Sequence, residues 1–254
     1  GMGLALGDHD NDGDLDMYFT DIGPSIFLDN QGDGTFFDKS NDSRASRGFL
    51  YREQGRKMNS SGWGSRFTDL DNDGFLDLYL VAGFLDGAEK LTAEAEPNAI
   101  FLNNQDGTFS DISDQTGADD IGSGREVIAA DFNKDGYIDI FIANFGNPEG
   151  EPGTAKLFEN ITDNSNGWLS LNLIGTLSNR NAIGARVTVH TDADVTLIRE
   201  MGASQGYTSH SVLPLYFGMG KATTASNIEI RWPSGTIQTL NDVPVNQQIT
   251  VVEP

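Results

Sequence analysis

Apolar residues in this chain recur with a period of two, in short runs broken by Gly, Asn and Asp, the spacing of β-strands. Three of these runs repeat. Leu15, Met17 and Phe19, then Leu76, Leu78 and Leu80, then Ile138, Ile140 and Ile142 share one face of an extended segment. Tyr18, Tyr79 and Phe141 stand at the matching place on the opposite face. Apolar residues on both faces predict strands sandwiched between neighbouring sheets, not a sheet with one wet side. A mixed segment precedes each run, at residues 2–7, 63–68 and 125–130.

A second repeated signal follows. Ser25-Ile26-Phe27-Leu28-Asp29-Asn30 leads into Gly32-Asp33-Gly34-Thr35-Phe36, and Asn98-Ala99-Ile100-Phe101-Leu102-Asn103 leads into Asp106-Gly107-Thr108-Phe109. The Asp-Gly pairs supply the positive φ that a tight hairpin needs. Lys156-Leu157-Phe158-Glu159-Asn160 begins the same signal a third time and then departs from it. Each unit reads as about four strands, the size of one propeller blade. The expectation is all-β: three propeller-type four-stranded blades over residues 1–165, then a compact β module over 166–254. Six strands are predicted in that module, at 169–174, 184–190, 195–201, 213–218, 227–232 and 247–253.

The polar loops between the repeated segments carry the chemistry. They start at Asp8, Asp69 and Asp131, spacings of 61 and 62 residues. They read Asp8-His9-Asp10-Asn11-Asp12-Gly13-Asp14-Leu15-Asp16, Asp69-Leu70-Asp71-Asn72-Asp73-Gly74-Phe75-Leu76-Asp77 and Asp131-Phe132-Asn133-Lys134-Asp135-Gly136-Tyr137-Ile138-Asp139. Side-chain oxygens at positions one, three and five converge when the backbone curls. Gly at position six permits the sharp turn, position seven (Asp14, Phe75, Tyr137) offers its carbonyl, and Asp at position nine closes the shell. An all-oxygen shell of six or seven ligands is what Ca²⁺ takes. An EF-hand is excluded, because it needs Glu at position twelve and flanking helices. Position twelve here is Phe19, Leu80 and Ile142. A single solvated Asp-Gly turn is common; three in register point to three Ca²⁺ sites of structural type. The third is expected to be the weakest, because Asn133 replaces an Asp and Lys134 sits beside it.

Charge narrows the partners. The formal net charge is −22, from 38 Asp plus Glu against 16 Lys plus Arg. Such a surface repels nucleic acid and anionic membranes. Three dications would return six charges and leave about −16. There is no Cys, hence no disulfide framework. No apolar run approaches the ~18 residues of a membrane span. The chain carries no signal peptide and opens on a segment that already reads as a strand, so a mature or trimmed chain is expected.

The Asp-rich loops with their flanking Phe-Leu-x-Asn and Asp-Gly-Thr-Phe segments resemble the FG-GAP/VCBS repeats of integrin-α-type β-propellers, over roughly residues 1–165. The C-terminal stretch is similar to the ASPIC/UnbV module. The supporting residues are Asn181 through Val187, Arg199 through Tyr207, Phe217 through Gly220 and Ile230 through Gly235. The two in this order resemble the cartilage-acidic-protein-like group of secreted and bacterial surface proteins. The resemblance implies calcium ligands at the Asp and Asn positions already named, an extracellular or cell-surface location, and no catalytic set. Closed propellers have four to eight blades. Three imply that earlier blades are missing, that the blades form an open stack, or that copies complete one another.

Residues 39–57 hold Lys39, Arg44, Arg47, Arg52, Arg56 and Lys57, six of the 16 basic residues. They are read as pairing with the protein's own acidic surface or docking an acidic partner, such as residues 86–96 of another copy. His9, His190 and His210 form no evident triad. Tyr207, Trp168 and Trp232 are read as core residues first and sugar-stacking platforms second. Asn41, Asn59 and Asn160 head glycosylation triplets, meaningful only in a eukaryotic secretory pathway. The expectation is an extracellular, calcium-stabilised, non-catalytic protein that binds protein or glycan partners. The alternatives are a self-associating filament or lattice subunit, and an accessory of a secreted or biosynthetic enzyme system.

Overall fold

The computed structural model describes residues 1–46, 49–51, 57–83, 96–146, 152–202, 206–208 and 214–254. Among the described residues the fold is all-β apart from one turn of helix, α1 (Ser113–Thr116). No helix among the described residues is long and apolar enough to cross a membrane.

The first sheet is an antiparallel meander of β1 (Leu4–Gly7), β2 (Asp16–Phe19), β3 (Ile26–Asn30) and β4 (Phe36–Asp38), in that order. A two-stranded hairpin follows, β5 (Phe49–Tyr51) and β6 (Lys57–Asn59). The second sheet repeats the meander with β7 (Gly62–Thr68), β8 (Asp77–Ala82), β9 (Ala99–Asn103) and β10 (Phe109–Asp111). The third has β11 (Ser123–Ala130), β12 (Asp139–Phe145) and β13 (Ala155–Phe158). Gly34 and Gly107 take φ of 88° and 80°, as the two Asp-Gly hairpins require.

Three four-stranded blades were expected, and the count is corrected here. Two of the repeated sheets have four strands and one has three, and two further sheets follow. The fourth sheet is β14 (Gly167–Ile174) between β17 (Leu215–Gly220) and β20 (Gln247–Val252); β20 lies parallel to β14. The fifth is a sheet of β15 (Arg186–Thr191), β16 (Thr196–Glu200), β18 (Thr224–Arg231) and β19 (Ile237–Pro244), ordered β16-β15-β18-β19. The segment forming β19 carries weak alternation and was not expected as a strand.

The five small sheets follow one another in a ring, the contact order of a five-bladed propeller. Inner strand β1 packs on β7, and β7 and β8 pack on β11. The loop after β11 meets Trp168 and Tyr216 of the fourth sheet. The fourth and fifth sheets share a core, and Arg186 of the fifth returns to Gly13 of the first. The inner strands approach so closely that glycine is needed: a Cβ on Gly3 would lie 2.2 Å from the Trp63 carbonyl oxygen.

Three apolar clusters hold these sheets. Tyr18, Phe27, Phe67, Phe101 and Phe109 fill the space between the first and second sheets. Tyr79, Val81, Val127, Ile140 and Ile142 fill that between the second and third. Leu169, Leu171, Val187, Phe217, Ile230 and Trp232 join the fourth and fifth. Fully burying one such side chain stabilises by about 1.5–3 kcal/mol. Every residue of β8 is buried, whereas β2 alternates: Leu78 and Leu80 enter the cluster shared with the first sheet, and Tyr79 and Val81 the one shared with the third. The Tyr18 and Tyr79 hydroxyls donate at 2.6 Å to the carbonyls of Ala45 and Ala118, just past the fourth strand of their repeats. The third repeat ends after three strands and has Phe141 there, with no hydroxyl to satisfy.

Trp232 belongs to the core, its ring N–H donating to Gln238 at 3.0 Å. Trp168 is half-buried and stacks on Tyr216, and exposed Tyr207 meets Trp63 edge-on. Lys39 pairs with Asp29 at 2.8 Å, in keeping with local pairing of the basic stretch. Arg47, Arg52, Arg56, His210 and most of 86–96 lie outside the described residues.

Candidate metal centre

Each Asp-rich loop joins the innermost strand of a repeated sheet to the next, and all three close in the same way. The position-one carboxylate accepts backbone amides of positions five and six. Asp8 takes Asp12 and Gly13 at 3.1 and 3.2 Å, and Asp69 takes Asp73 and Gly74 at 3.1 and 2.8 Å. Asp131 takes Asp135 and Gly136 at 3.2 and 3.0 Å, with Lys134 at 2.6 Å. Position six has φ of 104°, 98° and 93° at Gly13, Gly74 and Gly136. Position four is also left-handed, at Asn11, Asn72 and Lys134. Asn tolerates that conformation better than most residues; Lys does not.

Position nine opens the next strand and holds the loop to the rest of its sheet. Asp16 accepts the His9 amide at 3.1 Å and the Asn30 amide at 2.9 Å. Asp77 accepts Leu70 and Asn103 at 2.8 and 2.9 Å, and Asp139 accepts Phe132 and Asn160 at 2.9 and 2.8 Å. His9 is buried, its Nδ1 2.6 Å from Asp16, and packs on Phe27 and Phe109; it anchors the first loop.

Ligand-bearing side chains converge in two loops. Carboxylate oxygens of Asp8, Asp10 and Asp12 lie within 4.8 Å of one another, and so do those of Asp69, Asp71 and Asp77. In the third loop Asn133 Nδ2 instead donates to Asp135 at 2.8 Å and to Glu159 at 3.2 Å. At position seven the amides of Asp14, Phe75 and Tyr137 bond the position-five carboxylates Asp12, Asp73 and Asp135 at 3.0, 2.8 and 2.8 Å.

The electrostatics of these loops ask for a cation. Burial, joined by neighbouring carboxylates and partly offset by Arg199, raises Asp8 to about 6 and Asp69 to about 7. Burial first and Asp69 next push Asp77 well up. Burial also raises Asp10, Asp71 and Asp131. Among the described residues Asp10 Oδ1 is buried with no hydrogen-bond partner, an orphaned acceptor inside the first cluster. Clustered buried carboxylates at neutral pH need protons or a metal. The all-oxygen donor set fits a hard divalent ion such as Ca²⁺.

The loops are also linked in series, and sequence reasoning missed the residues that do it. Asn11 of the first loop donates to the Gly74 carbonyl at 3.3 Å, and Asn72 of the second to Gly136 at 2.8 Å. Asn103 and Asn160, from the Phe-Leu-x-Asn type segments, reach back to the carbonyls of His9 and Leu70 at 2.8 and 2.7 Å. Three donors from the C-terminal sheets then meet the three position-six carbonyls. Arg186 donates to Gly13, Arg199 to Gly74 at 3.3 Å, and the Tyr216 hydroxyl to Gly136. Burial first, then Asp131 and Asp69, hold that hydroxyl protonated, so it remains a donor. Arg199 is 8% exposed and its charge is shared by Asp8 and Asp69. The repeat itself was the available signal for the Asn links. Nothing local announced the three donors, whose partners are 173, 125 and 80 residues away.

Comparison with known proteins agrees with the repeat and the module. Residues 82–142 match the FG-GAP-like repeat family, and residues 175–254 match the family described as ASPIC and UnbV. Cartilage acidic protein 1 of Xenopus tropicalis is 37% identical over 102 residues, 40% of this chain and 14% of the relative. The human protein of that name is 46% identical over 56 residues, 22% of this chain and 8% of the relative. The chain thus spans a small part of the length of these relatives. On this evidence the chain combines FG-GAP-like repeats with an ASPIC and UnbV region and is homologous to cartilage acidic protein 1.

Proposed function

We propose that this is a calcium-stabilised, non-enzymatic protein of the extracellular matrix or cell surface that presents a rigid β scaffold to a protein or glycan partner. The observation that carries the reading is the threefold loop: three segments at constant spacing, closed by the same amide bonds, with carboxylates driven toward protonation by burial. Asp8, Asp10, Asp12, Asp69, Asp71, Asp73, Asp131, Asn133 and Asp135 would supply side-chain oxygens. The carbonyls of Asp14, Phe75 and Tyr137 complete the set, with Asp16, Asp77 and Asp139 closing each loop. Bound Ca²⁺ supplies the positive charge that lets these carboxylates ionise together. The third site is the weakest, since Asn133 already bonds Asp135. Similarity to cartilage acidic protein 1 supports the matrix or adhesion role.

Native mass spectrometry of chelated protein titrated with calcium tests this. Three ions per chain are expected, and one fewer in each of Asp10→Asn and Asp71→Asn. Both variants should lose stability. Absence of bound calcium at millimolar concentration overturns the reading, as does a hydrolytic activity lost by either variant with its fold intact.

Self-association is a second reading. Among the described residues the outer strand β13 pairs only with β12, with Leu157 56% exposed on it and Phe145 62% exposed at the end of β12. Such an edge invites pairing with another copy. The same spectra report it as calcium-dependent oligomers.

A further inference from the structure

At the centre of the ring, between inner strands β1, β7 and β11 and the C-terminal sheets, lies a cavity of about 240 Å³. Its walls are mixed: Leu6, Leu15, Phe67, Leu76, Ile138 and Leu215 stand beside six charged side chains. Into this lining the second repeat places Arg66, three residues ahead of its loop. The same position holds Ala5 in the first repeat and Ile128 in the third, so the blade does not need an arginine there.

Arg66 is short of partners. Among the described residues it makes no hydrogen bond and no ion pair, and its one electrostatic neighbour is Glu126. That carboxylate is already committed to the amides of Val127, Tyr207 and Thr208, at 3.0, 2.7 and 2.6 Å. Burial disfavours the Arg66 charge. Arg199 also lines the cavity, its Nε buried and without a partner among the described residues, and Lys134 adds an exposed cation. The lining acids are engaged elsewhere. Asp69 and Asp131 cap their loops, and Glu200 lies 4.0 Å from Arg186. Half-buried Arg66 thus shares its one carboxylate neighbour with three amides and keeps its guanidinium donors unspent, and a second carboxylate is their natural bidentate complement.

We propose that this cavity binds a small organic carboxylate, its charged end on Arg66 and its apolar body against the leucine-lined wall. At ~30 Å³ per water the space equals about eight waters, which suits a ligand the size of benzoate and is too small for a lipid.

The test titrates the full calcium-loaded chain with sodium benzoate and with benzyl alcohol as the neutral match, by calorimetry and thermal shift. Saturable binding of benzoate is expected, with at least tenfold weaker binding of the alcohol. Arg66→Gln should lose the binding. Ser170→Leu, which fills the cavity from the C-terminal side and leaves Arg66 in place, should lose it too, so a poorly folded Arg66 variant does not spoil the test. No saturable benzoate binding, equal binding of the alcohol, or unchanged binding by Arg66→Gln overturns the proposal. Metal content is counted in the same samples, which separates this outcome from failure of the calcium reading.

Discussion

Acidifying the calcium-free protein from pH 8 to pH 5 should raise its melting temperature, the reverse of ordinary acid denaturation. Asp69 is 2% exposed, and burial first, then Asp73, raises its pKa from 3.8 to about 7. In the unfolded chain it returns to the ordinary carboxylate value. Between those two values the folded protein holds the proton more tightly, so stability falls as pH rises. The full gap is worth about 4 kcal/mol, at ~1.4 kcal/mol for each tenfold in proton affinity. About 3 kcal/mol of that accrues above pH 5. For a chain of this length it corresponds to about 6–12 °C. Asp8, raised to about 6, acts in the same direction. Bound calcium takes over from the proton, so the calcium-loaded protein should show a flat profile to about pH 6 and then fall as acid displaces the metal. Calorimetric melts at four pH values, with chelator and with millimolar calcium, read both limbs. A chelated protein whose melting temperature drops steadily from pH 8 to pH 5 would refute the reasoning.

Three further outcomes follow from particular contacts. Asn72→Ala removes the buried link to Gly136 and leaves a non-glycine residue at φ 59°; it should cost about 2 kcal/mol in denaturant unfolding, and Asn72→Gly about 1 kcal/mol less. Arg199→Met strips a buried cation from Asp8 and Asp69 and should cost about 3–5 kcal/mol in chelator at pH 8, but markedly less with calcium present. Glu253 is pushed up by burial but held down to about 2 by Ser234, Ser178 and the amides of Thr176 and Ser178. Its stabilisation is present above the ordinary value of 4.5 and lost as pH falls toward 2, so Glu253→Gln should flatten that limb of an acid titration followed by circular dichroism.

The repeat was legible because strand chemistry is local. Leu78 and Tyr79 face opposite ways in any extended segment, and Gly74 announces its turn wherever it occurs. The third sheet's short count was half-legible: Lys156 to Asn160 begin the second signal, and Phe141 replaces the tyrosine whose hydroxyl needs a fourth-strand neighbour. Strand β19 escaped notice because Gln238, Asn241 and Asp242 interrupt its alternation. Propeller-type blades were legible, but the closure of the ring by the two C-terminal sheets was not. It depends on Arg186, Arg199 and Tyr216 meeting glycine carbonyls far away in sequence, and a carbonyl carries no side-chain signature. The same holds for the central cavity, where Arg66 reads as an ordinary strand residue until the sheets around it are placed.

The three donors on three glycine carbonyls bear on how such chains can be recombined. A C-terminal module joined by a simple tether could be exchanged among repeat proteins by cutting at the linker. Here a graft would have to bring two arginines and a tyrosine into register with three loops at once, and offer Arg199 a pair of carboxylates. Transplanting residues 166–254 onto a foreign set of blades should therefore yield a poorly seated hybrid. Moving them together with the three loops should transfer the arrangement whole.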